Sequence, residues 1–226
     1  MIWSERVTFE PLGDQAVLAT FANEPSAARF AAAVRQLAAA WLVDVVLAYD
    51  AVAVFFDVER TDADAVTAEL RQVRPGKGTP AGRLHLIPCC YERQLDLARV
   101  AEVTRLTPEE VVRLHSGTEY TVYAIGFCPG FPYLGYLPPP LTGVPRLEQP
   151  RVRVEPGSVG LTGRQTGIYP LPTPGGWNLI GQTPLELVNI AEGYFPIRAG
   201  DRVRFVPIDE AEFQRLAGQR LPAGDE

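Results

Sequence analysis

Arginines dominate the charge of a long, otherwise weakly charged part of the chain. The 59 residues from Tyr123 to Gly181 contain six charged residues and no lysine. Four of the six are Arg146, Arg151, Arg153 and Arg164. A guanidinium can donate two parallel hydrogen bonds to a carboxylate or a phosphate. The arginines therefore predict a site for an ATP phosphate or a small acidic substrate, and pairing with Glu148 and Glu155 is the alternative.

Two further side chains have types suited to proton transfer or nucleophilic attack. His115 lies at the end of a predicted helix, where it could act as a general acid or base. A histidine that caps the helix C-terminus is the alternative. Cys128 could be a nucleophile, but no helix N-terminus or basic neighbour is evident to lower its pKa. A small apolar residue in a packed loop is the favoured interpretation of Cys128.

The same region is rich in glycine, proline and aromatic residues. It carries 11 of the 20 glycines and 11 of the 21 prolines, which favours shaped loops over helices or long paired strands. Its aromatic residues are too apolar for a disordered linker. Phe131, Tyr169 and Trp177 could line a groove for a flat ligand or a partner's loop, or they could be core. With Tyr133, they also predict an exposed apolar patch on the isolated chain.

Composition narrows the classes of function. The sequence has no Gly-x-Ser-x-Gly elbow, no phosphate-binding P-loop and no paired-histidine motif, and its two histidines predict no dedicated metal site. A net charge of −6 argues against nucleic acid or an anionic membrane as the main partner. No signal peptide or membrane-spanning run is evident, and three cysteines do not make a disulfide framework. We therefore expect a cytoplasmic protein.

Two domains are predicted, at residues 1–80 and 81–226, because the segment 74–82 has the composition of a linker. The first has the order β-β-α-β-β-α, which suggests a sheet with helices on one face. Its predicted strands are 7–11, 16–21, 43–48 and 51–56, and its predicted helices are 24–41 and 62–73.

The second domain contains many short strands separated by glycine and proline turns, which indicates a barrel or a sandwich. Its predicted helices are 95–104 and 107–115, and its predicted strands are 83–88, 121–125, 151–154, 158–162, 177–181 and 202–206. The second helix has a clear start, with Thr107 as N-cap, Pro108 in the first turn and Glu110 completing a capping box.

Several ordered motifs resemble one family. They are Ile-Gly-Phe-Cys-Pro-Gly-Phe-Pro-Tyr-Leu-Gly from Ile125, the pairs Pro145-Arg146 and Pro150-Arg151, Pro-Gly-Ser-Val from Pro156, Gln-Thr-Gly-Ile-Tyr-Pro from Gln165, and Pro-Gly-Gly-Trp-Asn-Leu-Ile-Gly-Gln-Thr-Pro from Pro174. Together they resemble the allophanate hydrolase subunit 1 family, which includes the B subunit of bacterial 5-oxoprolinase and the Kip-type inhibitor of a sporulation kinase.

The resemblance implies an α+β fold, with a small N-terminal α/β sandwich domain followed by a cyclophilin-like β-barrel domain. It also implies a subunit of an ATP-dependent 5-oxoprolinase, which acts with a companion cyclophilin-like subunit and a third hydrolase subunit. ATP with Mg²⁺ would bind at a site shared with these companions and would activate the lactam oxygen of 5-oxoproline. The alternative is an inhibitor that docks on the dimerisation domain of a sensor histidine kinase.

The candidate site follows from the arginines and the family motifs together. We predict catalytic roles for His115, Arg146 and Arg151. The residues predicted to bind substrate, nucleotide or a partner are Gly126, Phe127, Pro129, Gly130, Phe131, Tyr133, Gln165, Thr166, Tyr169, Gly175, Gly176, Trp177 and Thr183.

Overall fold

In the computed structural model, which describes residues 7–76, 78 and 82–221, the chain divides into two units, Met1–Ala81 and Gly82–Glu226. The first six residues and the predicted boundary at residues 80 and 81 lie outside the described residues. No helix in the described ranges has the length and apolar character needed to cross a bilayer.

The first unit is an antiparallel sheet covered by two helices. Its elements are β1 (Thr8–Pro11), β2 (Ala16–Thr20), α1 (Glu24–Arg35), β3 (Leu42–Ala48), β4 (Ala51–Phe56) and α2 (Ala63–Leu70), and the strand order is β1-β2-β4-β3. Alternate residues such as Val17, Val45 and Val54 are buried in register on one face. A side-chain period of two therefore gives the sheet one apolar face, against which α1 and α2 pack.

Helix α1 is shorter than predicted. Asn23 caps its N-terminus by accepting a 3.0 Å hydrogen bond from the N–H of Ser26, but the helix ends at Arg35 and does not reach Trp41. Ala38 has a φ of 47°, which is incompatible with a continuing right-handed helix. The Trp41 side chain is buried and donates from Nε1 to Glu69 at 3.0 Å. Tertiary packing thus overrides the helical propensity of the alanine-rich stretch.

The second unit is a barrel-like sheet. Its elements are β5 (Leu84–Cys89), α3 (Leu97–Thr104), α4 (Pro108–Ser116), β6 (Glu119–Ile125), β7 (Pro132–Gly135), a 3₁₀ turn (Pro139–Leu141), β8 (Arg151–Val154), β9 (Ser158–Thr162), β10 (Gln165–Ile168), β11 (Thr173–Gly175), β12 (Asn178–Gln182), β13 (Arg202–Pro207) and α5 (Glu210–Leu216). Seven strands form one sheet in the order β12-β9-β10-β7-β6-β13-β5, and β8 pairs with β11 separately.

The two ends of this sheet meet at Cys90 and Gln182. The N–H of Cys90 donates to the carbonyl of Gln182 at 2.8 Å, and the N–H of Gln182 donates back to the carbonyl of Cys90 at 3.0 Å. This bridge joins the chain just after β5 to the end of β12, and it nearly closes the barrel. The predicted fold class, an α/β sandwich followed by a β-barrel, is confirmed.

The barrel interior is filled by alternating strand residues such as Val122, Leu134, Leu161 and Phe205. Helices α3 and α4 pack beside it, α3 against β12 and α4 against β13. The predicted capping box of α4 is present, because Thr107 accepts from the N–H of Glu110 and Glu110 accepts from the N–H of Thr107. The helix that covers the sheet therefore starts where the sequence predicts.

Candidate functional site

The loop that joins β6 to β7 presents one exposed aromatic side chain. It closes through a 3.1 Å hydrogen bond from the N–H of Gly126 to the carbonyl of Phe131. Gly130 has a φ of 77°, and a Cβ there would lie 2.2 Å from Val188, so glycine is required. Phe127 has a φ of 65° and remains 59% exposed. The loop thus holds Phe127 at its tip in a backbone conformation that is unfavourable for a bulky residue.

Beneath Phe127 lies a second apolar cluster, separate from the barrel core. Phe131, Tyr169 and Trp177 form its centre, and they are 1%, 1% and 5% exposed. The ring of Phe131 packs edge to face against Tyr169 at 5.1 Å and against Trp177 at 5.4 Å between centroids. The prediction of an exposed patch is therefore wrong for these three residues, because they bury one another.

The cluster also forms one wall of a cavity of about 300 Å³. The cavity is lined by Phe127, Phe131, Tyr133, Arg146, Pro150, Tyr169, Pro174, Gly175, Gly176 and Trp177. A Cβ on Gly175 would lie 2.6 Å from the hydroxyl oxygen of Tyr169, so only glycine lets β11 approach that ring. Phe131, Tyr169 and Trp177 are therefore buried core residues that also line this cavity.

Arg146 is the charged side chain of this cavity. It is exposed, and within the described part of the chain its guanidinium makes no ion pair or hydrogen bond. Burial raises the pKa of Tyr133 and of Tyr169, and the positive charge of Arg146 opposes both shifts. The guanidinium therefore lies within electrostatic reach of both phenol groups, and the other residues that line the cavity are uncharged.

The other three arginines of the region are occupied. Arg153 pairs with Glu155 at 2.7 Å on the surface, as the alternative interpretation predicts. Arg164 lies over the ring of Tyr136, with 4.3 Å from its guanidinium carbon to the ring centroid. Arg151 pairs with Asp96 rather than with Glu148 or Glu155 and lines a different cavity, of about 480 Å³. The four arginines do not form one anion site.

Asp96 is a partner that the sequence analysis missed. One of its carboxylate oxygens accepts from Nη2 of Arg151 at 2.7 Å, and the other accepts from the N–H of Leu179 at 2.7 Å. Nη1 of Arg151 is buried without a hydrogen-bond partner among the described residues. An aspartate that precedes a helix is typical of an N-cap, but Asp96 makes no such hydrogen bond to α3. It instead connects α3, β8 and β12.

His115 lies in the barrel core, away from this cavity. Its Nδ1 lies 2.7 Å from the hydroxyl of Tyr91 and its Nε2 lies 2.9 Å from the hydroxyl of Thr166. Its ring packs on Phe205 at 4.6 Å between centroids. Complete burial lowers the pKa of His115 to about 3, so the ring is neutral at physiological pH. The structure thus places His115 in the packing of α4, and it does not bring His115 to Arg146.

The remaining predicted residues are divided between the cavity and its surroundings. Gly126, Pro129 and Gly130 shape the loop beside the cavity but do not line it. Thr166 is buried against His115, and Gln165 is half-buried on β10. Thr183 is buried, and its N–H donates to the carbonyl of Gly157 at 2.9 Å.

A nucleophile with its base is not assembled in the described residues. Burial raises the pKa of the Cys128 thiol, which keeps it protonated and weakly nucleophilic. Both histidines are engaged elsewhere, since Nε2 of His85 lies 2.9 Å from Asp201 and His115 bonds to Tyr91 and Thr166. In the same ranges, no group of three or more His, Cys, Asp or Glu side chains could hold a metal ion.

Comparison with known proteins places this chain in a family. Residues 7–194 match the family described as carboxyltransferase domain, subdomain C and D. The chain is 47% identical over 134 residues to the 5-oxoprolinase B subunit of Bacillus subtilis strain 168 and 54% identical over 134 residues to the protein of the same name from Escherichia coli O157:H7. These matches cover 58% of this chain and only 55% and 61% of the two relatives.

Solved structures show the same fold. The structure of TTHA0988 superposes with a TM-score of 0.77 at 34% identity, over 87% of this chain and 40% of that one. Protein PH0987 from Pyrococcus horikoshii gives a TM-score of 0.54 at 34% identity, over 91% and 100%. The Kluyveromyces lactis urea amidolyase, at 18% identity and a TM-score of 0.71 over 94% of this chain and 15% of that one, shares the fold.

Proposed function

From the premise that this chain belongs to the family of the carboxyltransferase domain, subdomain C and D, we propose that it is a subunit of an ATP-dependent 5-oxoprolinase. The complete assembly would hydrolyse 5-oxoproline to glutamate. One observation carries this proposal: relatives from three bacteria, at 47%, 54% and 48% identity, are named as the B subunit of 5-oxoprolinase. The proposal extends beyond the aligned segment, which spans little more than half of those relatives.

The role we propose for this chain within the assembly is to bind and position a ligand. The described residues contain the Arg146 cavity but no activated nucleophile. Companion subunits, one of them a second cyclophilin-like protein, would supply the remaining catalytic groups. We therefore expect the isolated chain to have negligible 5-oxoprolinase activity.

ATP with Mg²⁺ does not fit the Arg146 cavity. The phosphates of a nucleoside triphosphate are normally bound by several backbone N–H groups and cations, while carboxylates hold its metal ion. The lining of this cavity offers one guanidinium, no lysine and no carboxylate. ATP would therefore bind outside this cavity, at a site shared with the companion subunits.

The kinase-inhibitor alternative has less support. The names of the curated relatives refer to 5-oxoprolinase, and they do not favour a histidine kinase as the partner. No geometric feature of the described residues selects a kinase dimerisation domain over another protein surface. Docking on a sensor kinase therefore stays a prediction from the sequence resemblance.

Co-expression tests the proposal. The chain is produced with the products of the neighbouring reading frames, and 5-oxoproline-dependent ATP hydrolysis and glutamate release are measured. The matched control is the same assembly without this chain. We expect turnover only when all subunits are present. Full activity without this chain, or robust turnover by this chain alone, would contradict the proposed role.

A further inference from the structure

The aromatic cavity combines a rigid wall with one charged side chain, Arg146, among its lining residues. Its rings are fixed by edge-to-face contacts, including 5.9 Å between the centroids of Tyr133 and Trp177. The backbone of Gly175 and Gly176 also lines the cavity, and the carbonyl of Gly176 accepts from the N–H of Leu147 at 2.8 Å. Such a wall needs little reorganisation to receive a ligand, because its side chains already pack against one another.

We propose that this cavity binds a small monocarboxylate with a compact, uncharged ring, and that Arg146 receives the carboxylate while the rings of Tyr133 and Trp177 contact the body of the ligand. The assignment of the ring, and so of 5-oxoproline as the physiological ligand, rests on the proposed function. Recognition of the carboxylate by Arg146 rests on the geometry of the cavity.

The charge of the cavity selects the charge of the ligand. Arg146 is the charged residue among those lining the cavity, and no described carboxylate neutralises it. A guanidinium presents a planar pair of donors that matches one carboxylate. A cation would be repelled by Arg146, and a polyanion would leave most of its charge uncompensated. A single negative charge therefore fits best.

The volume of the cavity and the residues that line it limit the size and polarity of the ligand. A cavity of about 300 Å³ is at the lower end of the ~300–1,000 Å³ of typical ligand sites. The accessible rings of the lining are those of Phe127, which is exposed, and Tyr133, which is half-buried beside Trp177, and they offer few polar atoms. A flat ring with one or two polar groups can lie against them, whereas an extended peptide or a nucleotide exceeds the space.

Direct binding to the full chain tests this inference. Calorimetric titration, with ligand-observed NMR for weak binders, compares 5-oxoproline, cyclopentanecarboxylate, 2-pyrrolidinone and ATP. The pyrrolidinone retains the lactam ring but lacks the carboxylate. We expect both carboxylates to bind at least tenfold more tightly than 2-pyrrolidinone and ATP. Equal binding of 2-pyrrolidinone, or no binding of either carboxylate up to about 10 mM, would overturn the inference.

Two variants locate the site. Arg146→Gln removes the charge from an exposed position and should weaken carboxylate binding at least tenfold. Arg153→Gln is the matched control, because Arg153 is an exposed arginine that lies outside this cavity and pairs with Glu155. We expect Arg153→Gln to bind the carboxylates as tightly as the parent chain does. Unchanged binding by folded Arg146→Gln, with circular dichroism as the check, would place the ligand elsewhere.

The two proposals can fail separately. If the assembly turns over 5-oxoproline and Arg146→Gln leaves KM unchanged, the cavity assignment is wrong and the proposed function stands. If carboxylates bind through Arg146 and the assembly does not act on 5-oxoproline, the cavity assignment stands and the proposed function is wrong.

Discussion

The hydroxyl of Tyr91 lies 2.7 Å from Nδ1 of His115, on one side of the buried imidazole, and Thr166 lies at the other ring nitrogen. The hydroxyl of Thr166 donates to the carbonyl of Gly160 at 3.0 Å, so its oxygen is left to accept from Nε2–H of His115 at 2.9 Å. Nδ1 then carries no hydrogen and accepts from Tyr91. The hydrogen bonds require a neutral ring protonated at Nε2, which joins α4 to the barrel strands.

Acid should weaken the fold through this histidine. Burial lowers the folded-state pKa of His115 to about 3, whereas an unfolded histidine titrates near about 6.5. Between these values the unfolded chain binds a proton that the folded chain excludes, so stability falls as pH falls from about 6.5 towards 3. His115→Gln keeps a donor but cannot titrate. At pH 7 we expect the free energy of unfolding of His115→Gln to be lower than that of the parent. At pH 5 this difference should be smaller by about 2 kcal/mol, as measured by urea denaturation. A deficit that does not change with pH would contradict the neutral buried ring.

The Arg151–Asp96 pair should contribute to stability rather than to ligand binding. The two side chains are 24% and 9% exposed, so removing one partner leaves a largely buried charge. We expect Asp96→Asn to lower the free energy of unfolding by about 1–3 kcal/mol, a value reduced for the partial exposure of Arg151. Arg151→Met in the Asp96→Asn background should cost less than it does alone. Glu155→Gln, which breaks the exposed Arg153 pair, is the control and should show no measurable change. Additive costs for Asp96 and Arg151 would show that they do not interact.

Gly175 should tolerate no side chain. In Gly175→Ala the new methyl group would lie 2.6 Å from the hydroxyl of Tyr169, which is itself buried. We expect a loss of about 1–3 kcal/mol in unfolding free energy. Gly176→Ala is the matched control, because its Cβ would meet Pro150 at an ordinary 3.5 Å. Similar stability of the two variants in parallel thermal and urea melts would mean that β11 can shift away from Tyr169.

Cys128 should be dispensable for chemistry. Burial raises the pKa of its thiol, and neither histidine is free to deprotonate it. We expect Cys128→Ala to leave the kcat of the assembled enzyme unchanged, and iodoacetamide to react with Cys128 more slowly than with a free thiol at pH 7. Loss of kcat in a variant that still folds and assembles would restore Cys128 as a candidate nucleophile.

The sequence predicted the short strands best where β-branched residues are bounded by turns. Strands β8 and β9 begin and end at the predicted residues, 151–154 and 158–162. Strands β7 and β10 were missed, because glycine and proline suggest loops there. Both are paired, and their glycines make room for rings: a Cβ on Gly167 would lie 2.8 Å from Phe131, and one on Gly135 would lie 2.9 Å from Tyr123. Only the three-dimensional neighbours explain these strands.

The candidate site, like the strands, could be predicted from the sequence only in part. The sequence identified its members, since Arg146, Tyr169 and Trp177 all belong to motifs that it singled out. It could not determine which arginine remains unpaired, because the partner of Arg151 lies 55 positions away at Asp96. Long-range pairing of this kind depends on how the barrel closes, and no local pattern of residues reports it. The burial of His115 depends on the same closure.

The position of β13 constrains how the second unit can fold while it is being synthesised. This strand, Arg202–Pro207, lies between β5 and β6, although both of those strands leave the ribosome long before it. Until it arrives, β5 and β6 each present an unpaired edge that can join another chain. Native pairing over such long sequence separations is slow. The nascent barrel should therefore depend on protection of these edges until its last strand inserts, and fragments that stop before residue 202 should aggregate.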